Sequence, residues 1–323
     1  MRLRPNAVLT VILASCTLSL VAPRTAEAEP IVSHDPMTWV FPWDKTVGRI
    51  IGQEADSEGP KSFVIKPDGG ALILDQVNCR VLDTDPKGNL IQTLALPAPT
   101  FDDIELVNEN VMVLADRLVS KTLLLMDLQG HPLQQIEIQG RGITHSGLVT
   151  AMIARTDGVW LEVEHRHSVK VLDRALQPCE RQIITGRPVA NGWNLQGKLD
   201  GRGEAIVSIG RRIHRETMRS VSLKGQLPIR RIVWLDMDAK GQVHVVLHEA
   251  QFATESPYPV QKEQYAWVVL DESLQEISRT ISPWVLTLYD QRVECRLGPD
   301  GRMWQMAFDT NGVRLIDWGR GTP

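Results

Sequence analysis

Short apolar runs parted by turn residues fill most of the chain. Residues 59–97, GPKSFVIKPDGGALILDQVNCRVLDTDPKGNLIQTLALP, hold four of them: SFVI, ALIL, CRVL and LIQTLAL. Runs this short, bounded by Gly, Pro, Asn and Asp, predict β-strands joined by tight turns. The grouping recurs. Turns at KPDGG (66–70), VNEN (107–110), RTDG (155–158), LDGRG (199–203), DAKG (238–241) and GPDG (298–301) lead into ALILD, VMVLAD, VWLEVE, EAIVSI, QVHVVLH and RMWQMAF. A third run ends in a second turn, as in RVLDTDPKGN and LLLMDLQGH, and a fourth follows, as in LIQTLAL and EISRTI. Asp-Gly and Asn-rich pairs supply the positive φ angles that such hairpins need.

Four strands recurring roughly every 40 to 60 residues predict a β-propeller. One such unit cannot bury both faces, but radial stacking buries them all. Six units can be counted. The expected fold is therefore all-β, a six-bladed β-propeller of four-stranded antiparallel blades. The sixth unit has strands at VECRL (293–297), RMWQMAF and GVRLIDW (312–318), one short of four. The spare strand VGRII (47–51) is expected to complete it and remove an open sheet edge, with WVFPW (39–43) packing against the closure. This divides the chain into 1–28, an N-terminal extension 29–46, a single propeller domain 47–318 and a tail 319–323.

The first 28 residues have the order of a cleaved signal peptide. Arg2 and Arg4 precede the apolar AVLTVILASCTLSLVA (7–22), and AEA (26–28) offers a small-x-small cleavage site. That run is short for a transmembrane span, which needs about 20 residues, so a secreted or periplasmic protein is expected. Within the same run, Leu13-Ala14-Ser15-Cys16 resembles a lipobox, and the alternative is a lipoprotein anchored through Cys16. Cleavage after Ala28 would take the formal charge from -4 to -6. A mildly acidic, well-mixed chain excludes the basic patch that nucleic acid requires. Cys79, Cys179 and Cys295, with no CxxC spacing, allow at most one disulfide.

The stretch Gly59 to Val81, GPKSFVIKPDGGALILDQVNCRV, resembles the NHL-repeat type of six-bladed propeller, of a secreted bacterial kind. Blade two lacks the Gly-Pro start and blade four the Asp-x-x-Asn step. The resemblance implies architecture. Propellers of this shape include binding scaffolds, sugar-lactone hydrolases and a zinc lyase of amidated peptides, so a shared fold selects no chemistry.

Loop lengths point to one rim. Connections between first and second and between third and fourth strands are tight. Those between second and third strands, and between blades, are long: QGRGITHSG (139–147), TGRPVANGWN (185–194), EAQFATESPYPVQKEQY (249–265) and SPWVLTLYDQ (282–291). Long loops persist where they carry function, so a site is expected on this loop rim. Trp193, Tyr258, Trp284 and Tyr289, with Arg117 and Arg211, are the candidate ligand-binding residues. Trp160, Trp234, Trp267 and Trp304 fall within strands, which predicts blade packing.

Asp75, Asp116 and Asn78 are expected to cap their own turns. The densest titratable cluster is VEHRH (163–167). On a strand, His165 and His167 would face one side, and Glu164 and His248 would complete a zinc or calcium site. There is no GxSxG elbow, HExxH or phosphate-binding glycine loop. The leading expectation is an exported binding module that presents its rim to a protein, peptide or glycan and needs no cofactor. The alternative is a metal-dependent lyase or hydrolase acting in the central funnel.

Overall fold

A recurring aspartate builds the tight turns. Asp85 accepts the backbone N–H groups of Lys87 and Asn89, each at 2.8 Å. Asp127, Asp173, Asp200, Asp238 and Asp271 do the same for the residues two and four positions on. One short carboxylate thus satisfies two donors that the turn would otherwise leave bare.

The computed structural model describes residues 37–52, 57–211, 218–282 and 289–320. Their strands form six four-stranded antiparallel sheets arranged as the blades of a β-propeller. Blade one holds Ser62–Ile65, Ala71–Asp75, Arg80–Thr84 and Leu90–Ala95, and blade two Asp103–Asn108, Val111–Asp116, Thr122–Asp127 and Pro132–Glu137. Blade three holds Val149–Arg155, Gly158–Val163, His167–Leu172 and Ile183–Thr185. Blade four holds Arg187–Pro188, Trp193–Leu199, Ala205–Arg211 and Arg219–Leu223. Blade five holds Ile229–Met237, Val243–Phe252, Val260–Leu270 and Glu276–Ser282. Blade six holds Cys295–Leu297, Arg302–Phe308, Gly312–Arg320 and, from the other end of the chain, Thr38–Pro42. In blade one the Asp-x-x-Asn-x-Arg step is a closed set of bonds: Asn78 and Arg80 both donate to Asp75 Oδ2, at 2.9 and 2.8 Å.

The strand beside Gly312–Arg320 is not Val47–Ile51. It is Thr38–Pro42, in register from Thr38 opposite Ile316 to Pro42 opposite Gly312. Its side chains alternate: Trp39, Phe41 and Trp43 are buried, whereas Val40 and Pro42 point outward. Residues 47–51 instead form an irregular connector. The Gly48 N–H bonds to Asp75 Oδ1 at 3.0 Å, Val47 is the connector's one buried apolar side chain, and Ile50 and Ile51 are 54% and 58% exposed. Three aromatic side chains at period two bury more apolar surface than VGRII can, which decides between the two segments.

Five seams between blades are apolar. One such cluster joins blade six to blade one through Trp39, Phe41, Trp304 and Phe308 against Phe63, Ile65 and Ile73. The seam between blades three and four differs. Blade four points Leu195, Val207, Ile209 and Leu223 toward blade five. The alternate positions, Asn194, Gln196, Ser208 and Ser220, lie on its other face, where the two serine hydroxyls meet at 2.8 Å.

Blade four also departs from the expected alignment. Its first strand is the two-residue Arg187–Pro188, so LDGRG joins its second and third strands rather than its first and second. Gly192 consequently shares a cavity with Asp157, Asp238 and Pro299 on the turn rim. A two-residue strand has no alternation to read, which is why the pattern missed it. Cys79, Cys179 and Cys295 carry free thiols.

A candidate ligand-binding funnel

The innermost strands line a cavity of about 570 Å³ that runs inward from the loop rim. On a strand every second side chain faces the same side, and here the axis-facing positions are charged. Arg292, Glu294 and Arg296 approach from blade six, Asp103 and Glu105 from blade two, Arg155 from blade three, Arg187 from blade four, and Arg231 and Asp236 from blade five.

Most of these groups are paired. Arg296 binds Asp103 at 3.0 Å and also contacts Glu105. Arg187 donates to Glu162 at 3.0 Å and to the Leu235 carbonyl at 2.6 Å. Arg155 reaches Asp236 at 2.6 Å, and Arg231 grips Glu294 with two bonds of 2.6 and 2.9 Å. Tyr265 also donates its hydroxyl to Glu294. The Trp234 ring lies 5.4 Å from the Arg187 guanidinium and 5.2 Å from that of Arg296, within cation–π range. Trp234 therefore lines the funnel, whereas Trp160, Trp267 and Trp304 pack in the blades as expected.

Two buried glutamates of the funnel wall titrate in opposite directions. Burial opposes ionisation of Glu162, but the Arg187 guanidinium and the His165 ring outweigh it and hold the carboxyl below the usual range. For Glu105 burial prevails over Arg296, and its pKa is pushed up to about 7. A carboxyl with a folded pKa above its unfolded value favours folding in its protonated form. Its contribution is full at low pH and is lost as pH rises from the ordinary carboxylate range through about 7. Glu105→Gln keeps the neutral shape, so thermal denaturation should show it on the order of 1–3 kcal/mol more stable than wild type at about pH 8, and nearly equal at about pH 5. Equal stability at both pH values would refute this.

At the mouth, Arg117 forks onto Asp102 and donates to the Val149 carbonyl at 2.7 Å. Arg292 donates to that same carbonyl at 2.8 Å. Asp116 caps its own turn, accepting from the Val119 and Ser120 N–H groups. Asp75 accepts from the Gly48 N–H of the connector instead.

Other expected site residues are dispersed. Glu164 and His165 occupy a turn with φ of 51° and 55°, not a strand, so His165 and His167 do not share a face. His165 bonds Glu162 at 3.2 Å and His167 bonds the Gly142 carbonyl at 3.1 Å. His248, in blade five, pairs with Glu263 at 3.1 Å. Among the described residues no three His, Cys, Asp or Glu side chains are grouped to hold a metal. Trp193 and Arg211 stack at 4.2 Å, opposite each other in the register of blade four, at the turn rim rather than the loop rim. Tyr289 is turned inward, stacked on Trp43 at 5.0 Å. Trp284 lies outside the described residues.

Tyr258 does sit on the loop rim. The 249–265 segment is mostly strand: Val243–Phe252 and Val260–Leu270 extend blade five into a hairpin tipped by residues 253–259. Phe252, Tyr258 and Val260 are exposed on it, Tyr258 at 59%, and Phe252 packs 5.0 Å from the Arg230 guanidinium of the cavity wall.

The inner arginines escaped the sequence reading although a signal was present. RVECR (292–296) alternates charge with apolar residues at period two, as does DIE (103–105). First strands, rather than the second-to-third strand loops, face the axis and carry these charges.

No family model and no curated protein matches the chain. Among solved structures it is similar to a DUF4221 family member from Bacteroides vulgatus, at 11% identity over 88% of this chain and 98% of that one, with a TM-score of 0.50. It is also similar to hydrazine synthase of Kuenenia stuttgartiensis, at 11% identity over 81% of each chain and a TM-score of 0.51. A third similar structure is U3-55K, at 10% identity over 85% of this chain and 99% of that one, with a TM-score of 0.50. At such identities the likeness concerns the fold: the chain is a six-bladed β-propeller, and its chemistry has to be argued from its own funnel and rim.

Proposed function

We propose that the protein is an exported, NHL-like binding propeller whose loop rim receives a protein or peptide partner. The observation that carries this reading is the blade-five hairpin, which holds Phe252, Tyr258 and Val260 exposed beside the funnel mouth. Aromatic side chains on a projecting element are where interface energy concentrates. The bonded Asp75–Asn78–Arg80 step supports the NHL-like kinship. Export rests on the N-terminal pattern, which lies outside the described residues; among those residues no helix is long and apolar enough to cross a membrane.

The test is photo-crosslinking in the producing cell, with a photoreactive amino acid in place of Tyr258 and, as control, of the exposed turn-rim residue Lys240. A discrete polypeptide adduct is expected from position 258 only. Substituting Phe252 and Val260 with Ser should abolish it without lowering the melting temperature. No adduct, or the same adduct from both positions, would refute the reading.

A further inference from the structure

We infer that the funnel mouth holds a carboxylate group of its ligand against Arg292, an inference that rests on reading the protein as a binding module. Of the five axis-facing arginines, Arg155, Arg187, Arg231 and Arg296 each have a carboxylate partner. Among the described residues Arg292 has none within 4 Å. It spends one donor on the Val149 carbonyl, and its Nε is shut off from water with no partner. A guanidinium carries five donors, and beyond the Val149 carbonyl this half-buried one meets no further side-chain acceptor among the described residues. A cationic neighbour shares the same acceptor: Arg117 also donates to Val149, and burial together with Arg117 disfavours the Arg292 charge more than Asp103, Asp102 and Glu162 restore it. Such a group is costly unless an anion completes it.

The cavity fits that anion. Its lining has eight cationic side chains against six carboxylates. Met152, Ile232, Val233, Trp234 and Val293 supply apolar wall, suited to the body of an organic acid rather than to a fully hydrated ion. The Arg292 guanidinium presents a planar fork, which matches a carboxylate in shape and charge. The carboxylate belongs either to a free organic acid or to the end of the polypeptide at the rim.

Calorimetry on the full chain tests this with four probes: octanoate, a tetrapeptide with a free C-terminal carboxylate, the same peptide amidated, and inorganic phosphate. At least one carboxylate probe should saturate at one per chain. Arg292→Met should weaken it at least tenfold while melting no lower than wild type, and Arg292→Lys should lie between. Binding of the free-acid peptide but not the amide assigns the polypeptide source, and binding of octanoate alone assigns a small acid. The inference is overturned if phosphate binds more tightly than either carboxylate, if no probe binds, if Arg292→Met binds as well as wild type, or if that variant melts far lower. The Phe252 and Val260 serine variant should keep the carboxylate affinity. A missing crosslink with retained affinity would therefore remove the rim reading alone.

Discussion

A chain beginning at Lys45 should melt about 10 °C or more below one beginning at residue 30, and should aggregate. The truncation removes Thr38–Pro42 and the following Trp43 but leaves residues 47–51 in place. Trp39 packs 4.7 Å from Trp304, and Trp43 stacks on Phe308 at 5.9 Å while donating its indole N–H to the Asp309 carbonyl at 2.7 Å. Phe41 is buried in the same cluster. Each large side chain contributes about 1.5–3 kcal/mol by burial, so the three together outweigh most single contributions in the fold. Their loss also bares the edge of Gly312–Arg320 for pairing with other chains. Gly312→Ala probes the same junction without a deletion, because a Cβ there would stand 2.2 Å from the Phe41 carbonyl oxygen; a cost of about 1–3 kcal/mol is expected. Should the shortened chain melt within a degree or two of the longer one, Thr38–Pro42 does not hold the ring closed.

The second large effect is expected where blades three and four meet. Glu162→Ala or Arg187→Ala should each destabilise the protein by about 3–5 kcal/mol, because either leaves an uncompensated buried charge. The pair is buried, and Arg187 also bridges to blade five through the Leu235 carbonyl. Replacing both partners with Leu and Met should recover much of the loss, since a neutral apolar pair leaves no stranded charge. The pH dependence has a definite sign. Glu162 ionises in the folded protein below its ordinary range, so its contribution is present above that range and disappears as pH falls through the folded value. Between about pH 6 and about pH 3, Glu162→Gln should therefore lose less stability than wild type. If the double variant is no better than the singles, the pair is not what binds this seam.

The period of the strands, their turns and their number were legible in the sequence because each is set locally. A strand needs alternation or an apolar run, and a tight turn needs Asp, Asn or Gly at a stated place. Asp85, Asp127 and Asp238 therefore announce their hairpins before any partner is known. The closure was not legible. VGRII reads as the closing strand and WVFPW as a segment packed against it, and only burial of Trp39, Phe41 and Trp43 against blades one and six reverses the two. Blade four shows a second limit: Arg187–Pro188 is a strand only because Asn194 and Leu195 lie opposite it, and that missing step moved Trp193 and Arg211 to the wrong rim. The funnel shows the third. Arg155, Arg187, Arg231 and Arg292 are separated by tens to more than a hundred residues, and only the ring brings them to one axis. Which of them are neutralised depends on distances of a few ångströms across blades, and a one-dimensional pattern carries no such distances. Local geometry thus wrote the blades into the sequence, and the tertiary fold alone left Arg292 without a paired carboxylate among the described residues.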